Sequence, residues 1–243
     1  MPGLRIGLQA TAVYVAVLSL GMTYFYRVRA APYGTTEMVS HFWLVELILC
    51  AVVLYYALRY FGWAQVGFGP LNRRAVIWVL PAYAAVAILF WVLAPTLVDG
   101  RLTAADWSLL GWIALTTFMV GFSEEVMFRG ILLRAAMARM PVAWAMLLSA
   151  VLFAAMHSVN MLAGLPVEDM VLQVAFTFLV GFFLAPLALK IGNLWPLIIW
   201  HWLWDLALFS GPVLGVFQPF AFVGLLFQVV ISLWLWRAVM REG

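Results

Sequence analysis

The strongest constraint on this chain is a succession of long, continuously apolar runs. They lie near residues 8–26, 42–58, 76–95, 107–133, 143–162, 169–189, 194–210 and 216–236. Each reaches or approaches the roughly 20 residues that a helix needs to cross the hydrocarbon core of a bilayer. A membrane β-barrel is excluded because its segments alternate apolar and polar residues. The expected fold is therefore all-α, a polytopic transmembrane bundle of about eight spans. Hydrophobic residues make up 67% of the sequence, well above the roughly 45–50% of soluble domains. The connections are short and leave no room for a separate soluble domain, so residues 1–243 read as one membrane domain.

Basic residues set the expected topology. With the N-terminus in the cytoplasm and eight spans, the cytoplasmic segments hold Arg5, Arg59, Arg73, Arg74, Arg134, Arg139, Lys190, Arg237 and Arg241. The outer segments hold only Arg27, Arg29 and Arg101. Nine against three follows the positive-inside rule and places both termini in the cytoplasm. The expected location is a plasma membrane, as a bacterial multi-pass protein. The net charge of +3 reports this bias and not affinity for nucleic acid. Val28-Arg29-Ala30 has the look of a cleavage site, but the first apolar run is longer than a signal-peptide core and Arg27 and Arg29 crowd the cut. Cleavage is not expected there. The single cysteine, Cys50, lies inside the second span and allows no intrachain disulfide. Trp43, Trp63, Trp78, Trp107, Trp195 and Trp236 fall near span ends, as an interfacial aromatic belt requires.

Only 9% of the residues are charged, and their placement is uneven. Spans one and three are nearly free of polar groups, and span two has Glu46, with His41 at its edge. The rest fall in spans four, five and seven. Residues 1–106 therefore read as scaffold spans, 107–210 as a catalytic core, and 211–243 as the last span and tail. Titratable groups inside a span cost several kcal/mol each and are functional candidates by default.

Glu124 and Glu125 open the run Glu-Glu-Val-Met-Phe-Arg129. Neighbouring residues on a helix point about 100° apart, so the two acids cannot address one point. Arg129 follows Glu125 by four residues, in the favoured orientation for a helical ion pair. Glu124 is left without a partner on its own face, and an unpaired carboxylate in a low dielectric suits a general base. The alternative is that both acids merely balance Arg129. His157 closes Phe153-Ala-Ala-Met-His157; alone it reads equally well as a packing residue bonded to a neighbouring helix. His201 and Asp205 lie four residues apart on one face of span seven, a spacing common for paired ligands or catalytic groups. An intrahelical His–Asp hydrogen bond would also satisfy them. Taken together, two imidazoles and a carboxylate form a common catalytic zinc shell, and a further glutamate a common base beside it.

Glu-Glu-x-x-x-Arg at 124–129, Phe-x-x-x-His at 153–157 and His-x-x-x-Asp at 201–205 resemble the three motifs of the CPBP family, the CAAX prenyl endopeptidases and bacteriocin-processing proteins. Asn193-Leu-Trp-Pro-Leu-Ile-Ile-Trp-His201 resembles the lead-in to that family's third motif. The resemblance covers roughly residues 107–210. It implies an intramembrane endopeptidase acting on a membrane-associated peptide or protein, lipidated or not, with membrane lipid as its other partner. Within it two mechanisms compete: zinc as electrophile, or water activated by Glu124 and His157 while His201 and its partner stabilise the oxyanion. The family allows asparagine or aspartate at the fourth position, where this chain has Asp205. An ionised aspartate cannot donate to an oxyanion, which favours a metal held by His157, His201 and Asp205 with Glu124 as base.

At 1.5 Å per residue, Glu124 lies about 15 Å, His201 about 12 Å and His157 roughly 20 Å from the cytoplasmic ends of their spans. The site is expected to open to the cytoplasmic side. The rival readings are an ion or proton transporter, whose paired repeats with broken helices are not visible here, and a non-catalytic immunity or binding protein that keeps the motifs.

Overall fold

The computed structural model describes residues 3–218 and 220–242, and among them it is helical throughout, with one isolated bridge between Phe68 and Asn193. Helix α1 spans Leu4–Arg27, and the short α2 spans Thr36–His41. Helix α3, Trp43–Tyr56, runs on through a π-turn at Ala57–Phe61. Helix α4, Leu80–Val98, is entered through a 3₁₀ turn at Ala75–Val79. Helix α5, Ala104–Glu125, continues through a π-helical stretch at Val126–Leu132 into α6, Leu133–Met137. Helix α7, Val142–Met156, passes into a 3₁₀ stretch at His157–Ala163. Helices α8, Val167–Ile191, α9, Trp195–Leu214, and α10, Phe220–Glu242, complete the chain.

Seven helical units among the described residues are long and apolar enough to cross a membrane: Leu4–Arg27, Trp43–Phe61, Ala75–Val98, Ala104–Met137, Val142–Ala163, Val167–Ile191 and Trp195–Leu214. The eighth expected span, near 216–236, falls on α10, several of whose side chains lie outside the described residues. Apolar composition cannot drive association between helices already in lipid, so close packing and buried polar contacts must. Helix α5 packs most extensively against α9, and α7 against α8. Gly121 makes the first of these crossings possible: a Cβ there would stand 3.0 Å from Trp202 N and 3.1 Å from Ile198 O.

The loops gather into two ends. At one, Asn72 Nδ2 donates to Lys190 O (3.2 Å), Arg134 Nη2 to Ala188 O (3.3 Å) and Asn193 Nδ2 to Gly69 O (2.7 Å). At the other, Tyr33 N donates to Ala163 O (2.8 Å), tying the α1–α2 connection to the segment that follows α7. The first end is the one rich in basic residues.

Candidate active site

Two of the three motifs lie at or beside a change in helical geometry. Glu124 and Glu125 are the last residues of α5, directly before the π-helical stretch that contains Arg129. A π-turn inserts an extra residue and rotates the side chains that follow, which is why such turns recur at functional sites. Ser149 on α7 donates to Phe128 O at 2.8 Å and ties this stretch to the next span. His157 is the residue at which α7 tightens into a 3₁₀ turn. His201 and Asp205 sit one turn apart on α9.

Glu125 and Arg129 are both fully buried, and Arg129 Nη1 donates to Glu125 Oε1 at 3.0 Å. The guanidinium also lies over the Phe153 ring, 4.0 Å from its centroid, a cation–π contact that is strongest where water is excluded. The same Glu125 oxygen accepts a hydrogen bond from His201 Nδ1 at 2.9 Å. The acid therefore orients an imidazole as well as balancing a guanidinium. The far nitrogen of that ring, His201 Nε2, lies 3.7 Å from Glu124 Oε2 and 3.5 Å from Asp205 Oδ2. His157 Nδ1 donates to Phe153 O at 2.9 Å. Because a carbonyl only accepts, this bond fixes the proton on Nδ1 and leaves Nε2 as an acceptor. Phe153 is the hub of the motifs. Its ring meets those of Phe128, His157 and His201 edge-on at centroid distances of 5.4, 5.1 and 6.2 Å.

Glu124, His157, His201 and Asp205 all line one cavity of about 610 Å³. Glu125 and Arg129 support it from behind. Glu124 Oε2 is buried without a hydrogen-bond partner, an arrangement in which a bound water or a substrate group would be its natural complement.

Two features bear on the expectations. The first concerns zinc. Among the described residues no group of three or more His, Cys, Asp or Glu side chains could hold a metal ion. His201 has its Nδ1 held by Glu125, and its Nε2 faces two carboxylates at 3.5 and 3.7 Å. His157 Nδ1 is held by the Phe153 carbonyl of its own helix. As placed, His157, His201 and Asp205 do not fit a preformed zinc shell. The second concerns direction. The cavity runs from mid-membrane toward the end where α1 and α9 terminate, through Met22, Tyr33, Gln173, Leu208 and Phe217. That is the end poor in basic residues, opposite to the expected opening. Depth along a span does not reveal which end of the bundle splays apart.

The sequence reading also passed over Glu46. This buried acid on α3 is 2% exposed, lines the cavity, and accepts from Ser123 Oγ at 3.0 Å. Ser123 in turn shares a 2.8 Å hydrogen bond with Tyr14 OH. Spans one and two thus supply Leu18, Met22 and Glu46 to the cavity wall. The available signal was a lone carboxylate in an otherwise apolar run.

The model of the family described as Rce1-like, type II CAAX prenyl endopeptidase, matches residues 106–207. These residues run from the start of α5 into α9 and include all three motifs. The match agrees with the CPBP resemblance carried by those motifs and supports a CAAX-protease-like intramembrane endopeptidase at the level of the family. No curated protein and no solved structure gives a match.

Proposed function

From the likeness of residues 106–207 to the CAAX endopeptidases, and from the geometry of the cavity, we propose that this protein hydrolyses a peptide bond within or beside the bilayer by means of a glutamate-activated water. The observation that carries the proposal is that Glu124, His157, His201 and Asp205, drawn from three spans, line a single cavity. Buried apart, each would need a private partner. Around one substrate they satisfy one another and the reacting groups.

Glu124 is the general base. It takes a proton from water, the hydroxide attacks the scissile carbonyl, and the proton passes to the leaving amine. The unprotonated Nε2 of His157 accepts the second hydrogen of that water and orients it. His201, doubly protonated and held by Glu125 through Nδ1, donates from Nε2 to the oxyanion. Asp205 steadies that nitrogen. A catalytic zinc would polarise the carbonyl, but the described His, Cys, Asp and Glu side chains include no group of three or more that could hold one. Because those side chains are not grouped as a shell, the steps above use the chain's own residues. The substrate is a membrane-associated peptide or protein; the lipid-modified C-termini implied by the CPBP resemblance are one class to try.

The test is proteolysis of candidate membrane substrates by purified protein, with and without a strong chelator. Glu124→Gln keeps shape and hydrogen bonding but removes the base. It is expected to lower turnover by about 100-fold or more while leaving the protein folded in detergent. Activity that survives the chelator supports the metal-free steps, and activity abolished by it and restored by zinc replaces them with the metal reading. Full activity of the Glu124→Gln variant overturns the assignment of the base.

A further inference from the structure

The side from which the cavity is reached is set by three observations that do not depend on catalysis. From a floor at Glu124, Trp200 and His201, the lining extends toward one end: Leu18 and Met22 on α1, Gln173 and Thr177 on α8, Leu208 and Pro212 on α9. Phe217, just past α9, stands at its rim and is 80% exposed. The basic residues Arg59, Arg73, Arg74, Arg134 and Lys190 belong to the opposite end, where Asn72 bonds to Lys190 O and Arg134 to Ala188 O. Positive loops stay in the cytoplasm. The open end is therefore the outer one.

The chemistry of the cavity narrows what enters. Its walls are predominantly apolar, and its titratable lining comprises Glu46, Glu124, Asp205, His157 and His201, with no lysine or arginine among the described lining residues. The polar groups nearer the rim are neutral. Asn160 Nδ2 donates to Gln173 Oε1 at 2.8 Å, and Gln173 Nε2 donates to Tyr33 OH at 2.6 Å. A free C-terminal carboxylate entering this apolar cavity would lose its water and find no arginine or lysine to receive it. We propose that this site is loaded from the non-cytoplasmic side, and that it accepts an internal, uncharged apolar peptide segment and disfavours a free C-terminus. The choice of a peptide rests on the proposed peptidase reading; the side of entry does not.

Cysteine labelling tests the side without turnover. The one native thiol is removed by Cys50→Ala. In that background Thr177→Cys and Leu208→Cys place thiols on two cavity walls, Arg101→Cys marks the outer end, and Arg73→Cys the basic end. A cationic, membrane-impermeant methanethiosulfonate applied to intact cells is expected to modify both cavity variants together with the Arg101→Cys variant. The Arg73→Cys variant should react only after permeabilisation. Cavity variants that react only with the Arg73→Cys variant, or that do not react at all, overturn the side of entry. The substrate chemistry is read by protecting the Leu208→Cys variant with acetyl-Leu-Ala-Leu-Ala-Leu. The C-terminal amide should protect at about tenfold lower concentration than the free acid, a ratio that corresponds to about 1.4 kcal/mol. Equal protection by both, or by neither, overturns that part. A failed peptidase reading would leave the labelling pattern unchanged, so the two outcomes are distinguishable.

Discussion

One oxygen, Glu125 Oε1, receives both Arg129 Nη1 and His201 Nδ1, at 3.0 and 2.9 Å. Removing either ionic partner leaves a buried charge uncompensated, which costs about 3–5 kcal/mol. Glu125→Ala and Arg129→Ala should therefore each lower the thermal stability of the detergent-solubilised protein by a comparable amount. The double variant should be little worse than either, and clearly additive losses would count against the pairing. Glu125→Ala should also slow whatever protein stays folded, since His201 loses its orienting acceptor. At Asp205 the two mechanisms part. Asp205→Asn keeps a carbonyl near His201 Nε2 and adds a donor, so the water-based steps predict activity within about tenfold of the parent. A large loss of activity together with loss of bound zinc would instead identify Asp205 as a ligand. The i, i+4 pairs were legible in the sequence because helical spacing fixes them. The bond from His201 to Glu125 was not, because 76 residues and two intervening spans separate its ends.

At the scale of elements, the site depends on how closely α5 and α9 cross. Gly121 lies against the α9 backbone at Trp202 N and Ile198 O, one turn before the glutamates. A side chain there cannot move backbone aside cheaply. Gly121→Leu is expected to displace α5 from α9, lengthen the Glu124–His201 and Glu125–His201 distances, and lower kcat by more than about tenfold, because misplacements on the order of 1 Å are costly. Wild-type activity in that variant, with normal folding by size exclusion in detergent, would show that the crossing does not position the site. The π-helical stretch at Val126–Leu132 went unseen in the sequence for a related reason. The apolar run through 107–133 reads as one continuous helix, and an inserted residue leaves no mark on composition.

At the scale of the molecule, the loops sort into a basic end and a basic-poor end, as the charge bias requires. Both termini are predicted to be cytoplasmic. Reporter fusions at Gly243 should be active only in cytoplasmic form, and a fusion active on the outer side would refute the orientation and with it the outward-facing cavity. The division into scaffold spans and a site-bearing half is less sharp than the motifs suggested, since α1 and α3 bring Leu18, Met22 and Glu46 to the same cavity.

The sequence by itself determined that the chain is a helical bundle in lipid, which groups within it are too costly to be idle, and which of them share a helix face. Those properties follow from local transfer energies and from 3.6-residue periodicity. Only the tertiary structure decided that Glu125 serves His201, that Glu46 joins the cavity, that the candidate zinc ligands do not close into a shell, and which end of the bundle is open. These are relations between spans distant in the chain, set by close approaches such as that at Gly121, and neither hydropathy nor spacing encodes the angle at which two apolar helices meet.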